Sequence, residues 1–303
     1  MKEKEIIQTI KSTLNSEYIG DDCAYLPDLG IVVTQDSLVE DVHFTRKYSS
    51  PYNLGWKSAM VNISDVCASG AKPVYLTIAL SLPKNIGNDF VKEFYEGAKD
   101  ACKDVKIVGG DITGSDKIYI SVTAIGSTKG RKISSRSNAK EGYKIIVSGE
   151  HGSSAAGLKS LINGIDNPEF IKAHLMPAAQ RKFSQEIALN AECDYAMMDT
   201  SDGLADALYQ IASASNTVMS IDFEKIPYNK KLEEFPDWKD LILYGGEDYE
   251  LLFTVPLTDH EKVSEMEGIK VIGHITRPEL GNYLVGRDGG EVELKAQGWN
   301  SLS

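Results

Sequence analysis

Aspartate recurs along this 303-residue chain in short, similar settings: Asp21 and Asp22 in IGDD, Asp36 in VTQD, Asp65 in NISD, Asp111 in VGGD, and Asp199 and Asp202 in DTSD. These fall at expected strand–loop junctions or glycine turns. A lone loop aspartate is most often a turn or capping residue, and Asp202, at a turn into a helix, suits a cap as well as a ligand. As a group they point to a shared task. Several hard oxygen donors from separate loops are what Mg²⁺ needs, and Mg²⁺ commonly bridges protein carboxylates to substrate phosphates. Thr34 offers one more oxygen beside Asp36, and Gly109, Gly110 and Gly203 let backbone come close to a phosphate. Unit charges 4 Å apart interact by about 4 kcal/mol at an effective dielectric near 20, so carboxylates that converge require a cation.

Convergence depends on the elements around them. Apolar spacing predicts helices over about 3–15, 52–70, 88–103 and 178–191, and within SSAAGLKSLING and GLADALYQIASAS. Strands are predicted in CAYL, over Ile31 to Val33 before a functional loop, in PVYLTIALSLP, in VKIVGGD up to a glycine turn, and in KIYISVTAIGST, YKIIVSG, YAMMD, ELLFTVP and KVIGHIT. LILYGGEDYE reads as a loop flanked by apolar residues. The polar, Ser- and Gly-containing stretch 130–143 marks a boundary, giving domains 1–137 and 138–303. Strands and helices mix without strict alternation, which predicts two α+β domains with mixed or antiparallel sheets.

Nucleotide-binding loops of the usual kinds are missing. GSSAAGLKS at 152–160 comes close to a Walker A loop, but Leu158 separates the glycine from Lys159, and the lysine must follow directly to reach the phosphates. The small residues there suit a helix starting close to its sheet. Net charge −12 and a pI near 5.0 argue against nucleic acid or a membrane surface as partner. With 42% apolar and 25% charged residues the chain can bury ordinary cores. Cys23, Cys67, Cys102 and Cys193 form no CxxC pair and have no zinc-finger histidines, so they read as reduced thiols of a cytoplasmic protein. MKEKEIIQTIKSTL scatters charge through an amphipathic helix and is neither signal peptide nor membrane span.

The motifs IGDDCAYL, QDSLVEDVHF, NISDVCASGAKP, VGGDITG, VSGEHGSSAAGL, DTSDGLADAL and YGGEDYELLFTVP, spread in this order over nearly the whole chain, resemble those of the thiamine-monophosphate kinases. That family sits in the superfamily of aminoimidazole ribonucleotide synthetase, selenophosphate synthetase and a hydrogenase maturation protein. VHF and GGEDYELLFTVP are the parts specific to the kinases. The resemblance implies an aminoimidazole ribonucleotide synthetase-like α+β fold of two domains, whose N-terminal sheet forms a barrel across a homodimer. It implies Mg²⁺, as several ions, at Asp22, Thr34, Gln35, Asp36, Asp65, Asp111, Asp199 and Asp202, and ATP as co-substrate at Tyr95, Gly110, Asp111, Arg136 and Ser201. It implies thiamine monophosphate at His43, Glu247 and Trp299. Read without the family, Arg136 is a phosphate clamp or a solvated charge, His43 a phosphate ligand or a core histidine, and Trp299 a stacking ring or tail packing.

Three positions depart from the pattern. Gln35 replaces the usual Thr or Ser ligand, HLMPAAQR at 174–181 lacks a second proline and shifts its arginine by one, and Asp41 replaces a glycine before Val42. The acceptor in such a kinase is a phosphate monoester with a second pKa near 6, so no general base is needed. The expected chemistry is direct transfer between two polyanions, with no phosphoenzyme and with metal ions screening repulsion. A cyclo-ligase of the same superfamily and a scaffold without turnover are the alternatives; the kinase-specific acceptor motif and the nearly complete acidic motifs weigh against them.

Overall fold

The computed structural model describes residues 3–256, 268–276, 283–285 and 291–293, and contains two sheets. The N-terminal sheet has the order β1-β2-β5-β3-β4, with β1 Ala24–Leu26, β2 Ile31–Val39, β3 Lys72–Leu82, β4 Lys106–Gly114 and β5 Tyr119–Ser127. β2 and β3 each run antiparallel to β5, while β3 and β4 are parallel. Parallel neighbours need a crossover, and helix α3, Asn88–Cys102, supplies it.

One face of this sheet is covered by α2, Pro51–Ala68, and α3. α2 starts at Ser50, whose side chain accepts the Asn53 N–H at 3.1 Å, with Pro51 in the first turn. It is buried almost all round, which fits its central place between the sheet, α3 and the C-terminal half. α2 and α3 meet backbone to backbone at two glycines. A Cβ on Gly55 would lie 1.8 Å from the Phe94 carbonyl oxygen, and one on Gly97 would lie 1.9 Å from that of Tyr52. The opposite face carries Gln35, Thr77, Tyr75, Tyr119 and Thr123 and has no covering element among the described residues. Ahead of this sheet, α1, Glu3–Leu14, is the N-terminal helix.

The C-terminal sheet has seven strands, in the order β12-β11-β8-β10-β6-β9-β7. These are β6 Lys144–Ser148, β7 Ala196–Asp199, β8 Val218–Asp222, β9 Leu251–Val255, β10 Ile269–Thr276, β11 Tyr283–Val285 and β12 Glu291–Glu293. Strands β6, β9 and β7 are buried on both faces: Ile145, Val147, Met198 and Leu252 pack into one cluster, and Ile146, Met197, Leu251 and Phe253 into another. That explains their near-continuous apolar runs. The helices of this half are α4 Ser153–Asn163, α5 Pro168–Leu175, α6 Arg181–Asn190, α7 Leu204–Ser215 and α8 Trp238–Tyr244.

Ala68 at the end of α2 packs into the second cluster and so fastens the two halves. The displaced arginine of the 174–181 segment does the same: Arg181 donates to the carbonyls of Ala101 and Cys102 and pairs with Asp104 at 3.0 Å. The Trp56 indole N–H also reaches the Pro177 carbonyl at 2.8 Å. No helix among the described residues is long and apolar enough to cross a membrane.

Several expectations need correcting. β2 does not stop near Val33; it continues through Asp36 to Val39, in nine unbroken pairs with β5. Asp65 lies in the body of α2 and not at a loop, and Gly109, Gly110 and Asp111 lie inside β4 and not in a turn. Pairing with a long partner strand holds these polar and glycine residues extended against their own preference. LILY is the end of α8, and α5 falls where no helix was expected. GSSAAGLKS is helical from Ser153, and Lys159 is ion-paired to Asp237 on the helix flank, so it holds no phosphate loop.

Candidate active site

Three carboxylates from three parts of the chain meet between the two sheets. Asp22 precedes β1, Asp65 is on α2, Asp199 ends β7, and one oxygen of each lies within 4.8 Å of the others. Charges at that separation repel by about 3.5 kcal/mol a pair at an effective dielectric near 20.

Each acid is held by a specific partner. The Thr34 hydroxyl donates to Asp65 at 2.7 Å and the Ser64 hydroxyl to Asp199 at 2.6 Å. Arg136 donates to both oxygens of Asp22, at 3.0 and 3.4 Å, and its other nitrogen reaches Gln210 on α7 at 2.5 Å. Its own backbone N–H is fixed by Asp21 at 2.7 Å. Asp36 is tied through its N–H to the Asn62 side chain at 2.9 Å, which sets it beside α2.

The electrostatics is that of an acid cluster short of positive charge. Burial first, and then the charge of Asp22, raises Asp199 from 3.8 to about 7. Asp65 is pushed well above the usual range, by burial and then by Asp36, Asp199 and Asp22. Asp22 is raised less freely because Arg136 opposes burial. The donors are all hard oxygens, so the set fits Mg²⁺ and no soft metal.

Alongside lies a cavity of about 500 Å³, in the range of a small organic ligand, lined by Phe44, Tyr48, Leu161, Ile162 and Tyr244 together with a few polar groups. The polar groups include His43, His174, Ser201 and Glu247. His43 is locked because its Nδ1 accepts the Val39 N–H at 3.0 Å. Asp41 has φ 65°, the left-handed conformation that favours glycine there, and its carboxylate pairs with Lys117 at 3.1 Å. Glu247 also has positive φ, 68°, and donates its N–H to the Ser201 carbonyl at 2.6 Å. That contact joins the cavity to the turn after Asp199. Glu247 pairs with Lys57 at 2.9 Å and His174 at 3.3 Å. Burial alone would raise its carboxyl; Lys57, His174 and His43 more than offset this and hold it below the usual value.

The structure thus gathers Asp22, Thr34, Asp65, Asp199 and Arg136, with Asp36 close by, and sets His43, Glu247 and Ser201 around the cavity. Asp202 lies in the intervening turn; α7 is capped by Gly203, so Asp202 is not the cap. Other expected residues are elsewhere. Gln35 points to the opposite face of β2 from Thr34, where it accepts from Thr123 at 3.0 Å. Asp111 pairs in register with Ala79 on the outer strand β4, exposed, with Gly110 packed on the Ile78 backbone. Tyr95 is half-buried on α3, edge-on to Phe94. Trp299 lies outside the described residues.

Sequence reasoning missed Lys57, Ser64, His174 and Tyr249. Tyr249, two residues after Glu247, is buried at positive φ, 54°, and its phenol is pushed well up by burial, then by Glu247, Asp36, Asp199 and Asp65. The available signal for Lys57 was the one basic residue in a predicted helix that also carries Asp65.

Comparison with known proteins gives these features a family. Residues 20–128 match the model for the AIR synthase related protein N-terminal domain, and residues 140–282 that for its C-terminal domain. Thiamine-monophosphate kinase of Aquifex aeolicus (strain VF5) is 37% identical over 297 residues, covering 90% of this chain and 95% of that one. The enzyme of that name from Bacillus subtilis (strain 168) is 33% identical, covering 93% and 92%. The solved structure described as AaThiL complexed with AMPPCP and TMP superposes with a TM-score of 0.88 at 34% identity, over 99% of this chain and 96% of that one. On the shared sequence, the two matched domains and a common fold along their whole length, the chain belongs to the thiamine-monophosphate kinase family.

Proposed function

We propose that the protein transfers the γ-phosphate of ATP directly to the phosphate of thiamine monophosphate, giving thiamine diphosphate and ADP, with several Mg²⁺ ions as cofactor. The observation that carries this reading is the junction of two unlike compartments. An all-oxygen cluster suited to metal-bound phosphates touches an apolar cavity suited to an organic ring system, through the contact between Glu247 and Ser201. The family membership of the chain supports it.

Asp22, Asp65 and Asp199, with Thr34, Asp36 and Asp202 around them, would hold the metal. Bound there, Mg²⁺ supplies charge neutralisation for phosphate oxygens. Arg136, held in its forked contact with Asp22, grips an ATP phosphate through that fork, with Ser201 beside it. His43 meets the acceptor phosphate, and Glu247 faces the cationic or amine-bearing ring. The acceptor oxygen is largely deprotonated at neutral pH, so these residues bind and align and none has to remove a proton. Direct transfer predicts inversion at phosphorus with a chiral [γ-¹⁸O]-labelled thiophosphate; retention would mean a phosphoenzyme.

We assign two copies of the chain to the working molecule, their N-terminal sheets closing into a barrel. The open sheet face supports this, as does edge strand β4, which exposes 56% of Val108 and 61% of Ile112. Gln35 and Asp111 share that open face, and in this reading they join the metal ligands only in the dimer. Soluble substrates and thiols buried without disulfides at Cys23, Cys67 and Cys102 support a cytoplasmic setting. The test is ADP release with and without thiamine monophosphate, with thiamine diphosphate quantified. Product equal to ADP is expected; ATP turnover indifferent to thiamine monophosphate contradicts the reading.

A further inference from the structure

We propose that Lys57, seconded by His174, is a positioning residue for the acceptor: it fixes the Glu247 carboxylate from behind so that its free edge meets the ring of the ligand in the cavity. The proposal deepens the reading of Glu247 given above and rests on it.

The geometry is specific. The two oxygens of Glu247 are taken separately, Oε1 by Lys57 Nζ at 2.9 Å and Oε2 by His174 Nδ1 at 3.3 Å. The two partners come from different halves of the molecule, α2 and α5. Their side chains are 5% and 8% exposed, while that of Glu247 keeps 27%, so Glu247, which lines the cavity, is the accessible member of the trio. Lys57 has no other ion-pair partner among the described residues. The Ser154 hydroxyl lies 3.1 Å from the same Nδ1, so the His174 ring is fixed from two sides, and burial first, then Lys57, lowers its pKa to about 4.

Two further facts argue for positioning over mere fastening. Glu247 has φ 68°, a conformation that a non-glycine residue keeps only when its surroundings over-determine it, and the grip on its carboxylate is part of that restraint. Lys57 and Asp65 are both on α2, about 12 Å apart along its axis at 1.5 Å per residue. A single rigid helix therefore sets the acceptor anchor and a carboxylate of the acid cluster at a fixed spacing.

The experiment is a double-mutant cycle on Lys57→Met and Glu247→Gln, reading KM for thiamine monophosphate and for ATP separately, with melting temperature as a control. If Lys57 acts through Glu247, each single variant raises KM for thiamine monophosphate about tenfold or more with KM for ATP within about twofold, and the double variant is no worse than about twofold beyond Glu247→Gln. Should Lys57→Met not fold, Lys57→Gln, which keeps a donor toward the carboxylate, replaces it. A Lys57 variant that lowers the melting temperature but leaves KM for thiamine monophosphate unchanged overturns the proposal and leaves a structural clamp. Fully multiplicative effects also overturn it, because Lys57 would then act on the ligand independently. If Glu247→Gln alone leaves that KM unchanged, the assignment of Glu247 to the acceptor fails first, and the proposal with it.

Discussion

Asp199 and Arg136 show what the acid cluster asks of its members. Asp199 rises from 3.8 to about 7 through burial and then its neighbours, so the folded, metal-free protein holds a proton that the unfolded chain has released. A carboxyl raised in this way contributes stability that is complete below the unfolded value and is lost as pH climbs through the folded one. Asp65 acts in the same direction, as do Asp248 at about 7 and Glu250 at about 8, in the segment that carries Glu247. Buried His151 and His174, both depressed to about 4, oppose this only below the ordinary histidine range. Between about pH 6.5 and about pH 8.5 the metal-free melting temperature should therefore fall, and Mg²⁺ should restore more of it at the upper end. Calorimetric scans in EDTA and in Mg²⁺ check this; a rise with pH, or an equal Mg²⁺ effect at both ends, would contradict it. Arg136 makes a forked contact, so Arg136→Lys should rescue little of the loss in Arg136→Ala, with KM for ATP raised about tenfold or more in both. Near-complete rescue by lysine would reduce Arg136 to a diffuse charge.

The elements explain why some of this was legible in the sequence and some was not. The aspartates could be picked out by type, because repeated carboxylates near glycine are unusual in an unselected loop. Their secondary structure could not: Asp36 and Asp111 lie inside strands and Asp65 inside a helix, against their propensities, because pairing with β5 and β3 and burial of α2 outweigh them. α5 was hidden by its length of eight residues and its break into the Met176–Pro177 segment. Lys57 was hidden because its partner is 190 positions away on another domain. The glycines in α2 and α3 read as weak points in helices, yet they are where two backbones touch. Gly55→Ala and Gly97→Ala should each cost about 1–3 kcal/mol or more, well beyond the small gain that alanine brings to an isolated helix. Urea unfolding measures this, and a neutral or stabilising result for both would mean the helices are not packed so closely.

On the scale of the assembled protein, an open sheet face and an exposed edge strand carry the expectation of a dimer. Light scattering should give twice 33.2 kDa, and Val108→Glu with Ile112→Glu should shift the protein toward the monomer and lower activity, because Asp111 sits between them. A monomeric wild-type protein with full activity would count against that arrangement. The two halves share one working centre whichever way the copies pair, since Asp22 and Asp65 come from one sheet's side and Asp199 from the other's. The most direct measurement is titration of Mg²⁺ into the complex with a non-hydrolysable ATP analogue, comparing wild type with Asp65→Asn and Asp199→Asn. Saturable binding weakened about a hundredfold in both variants is the predicted result; Mg²⁺ affinity unchanged by either substitution would contradict a carboxylate cluster as the seat of phosphoryl transfer.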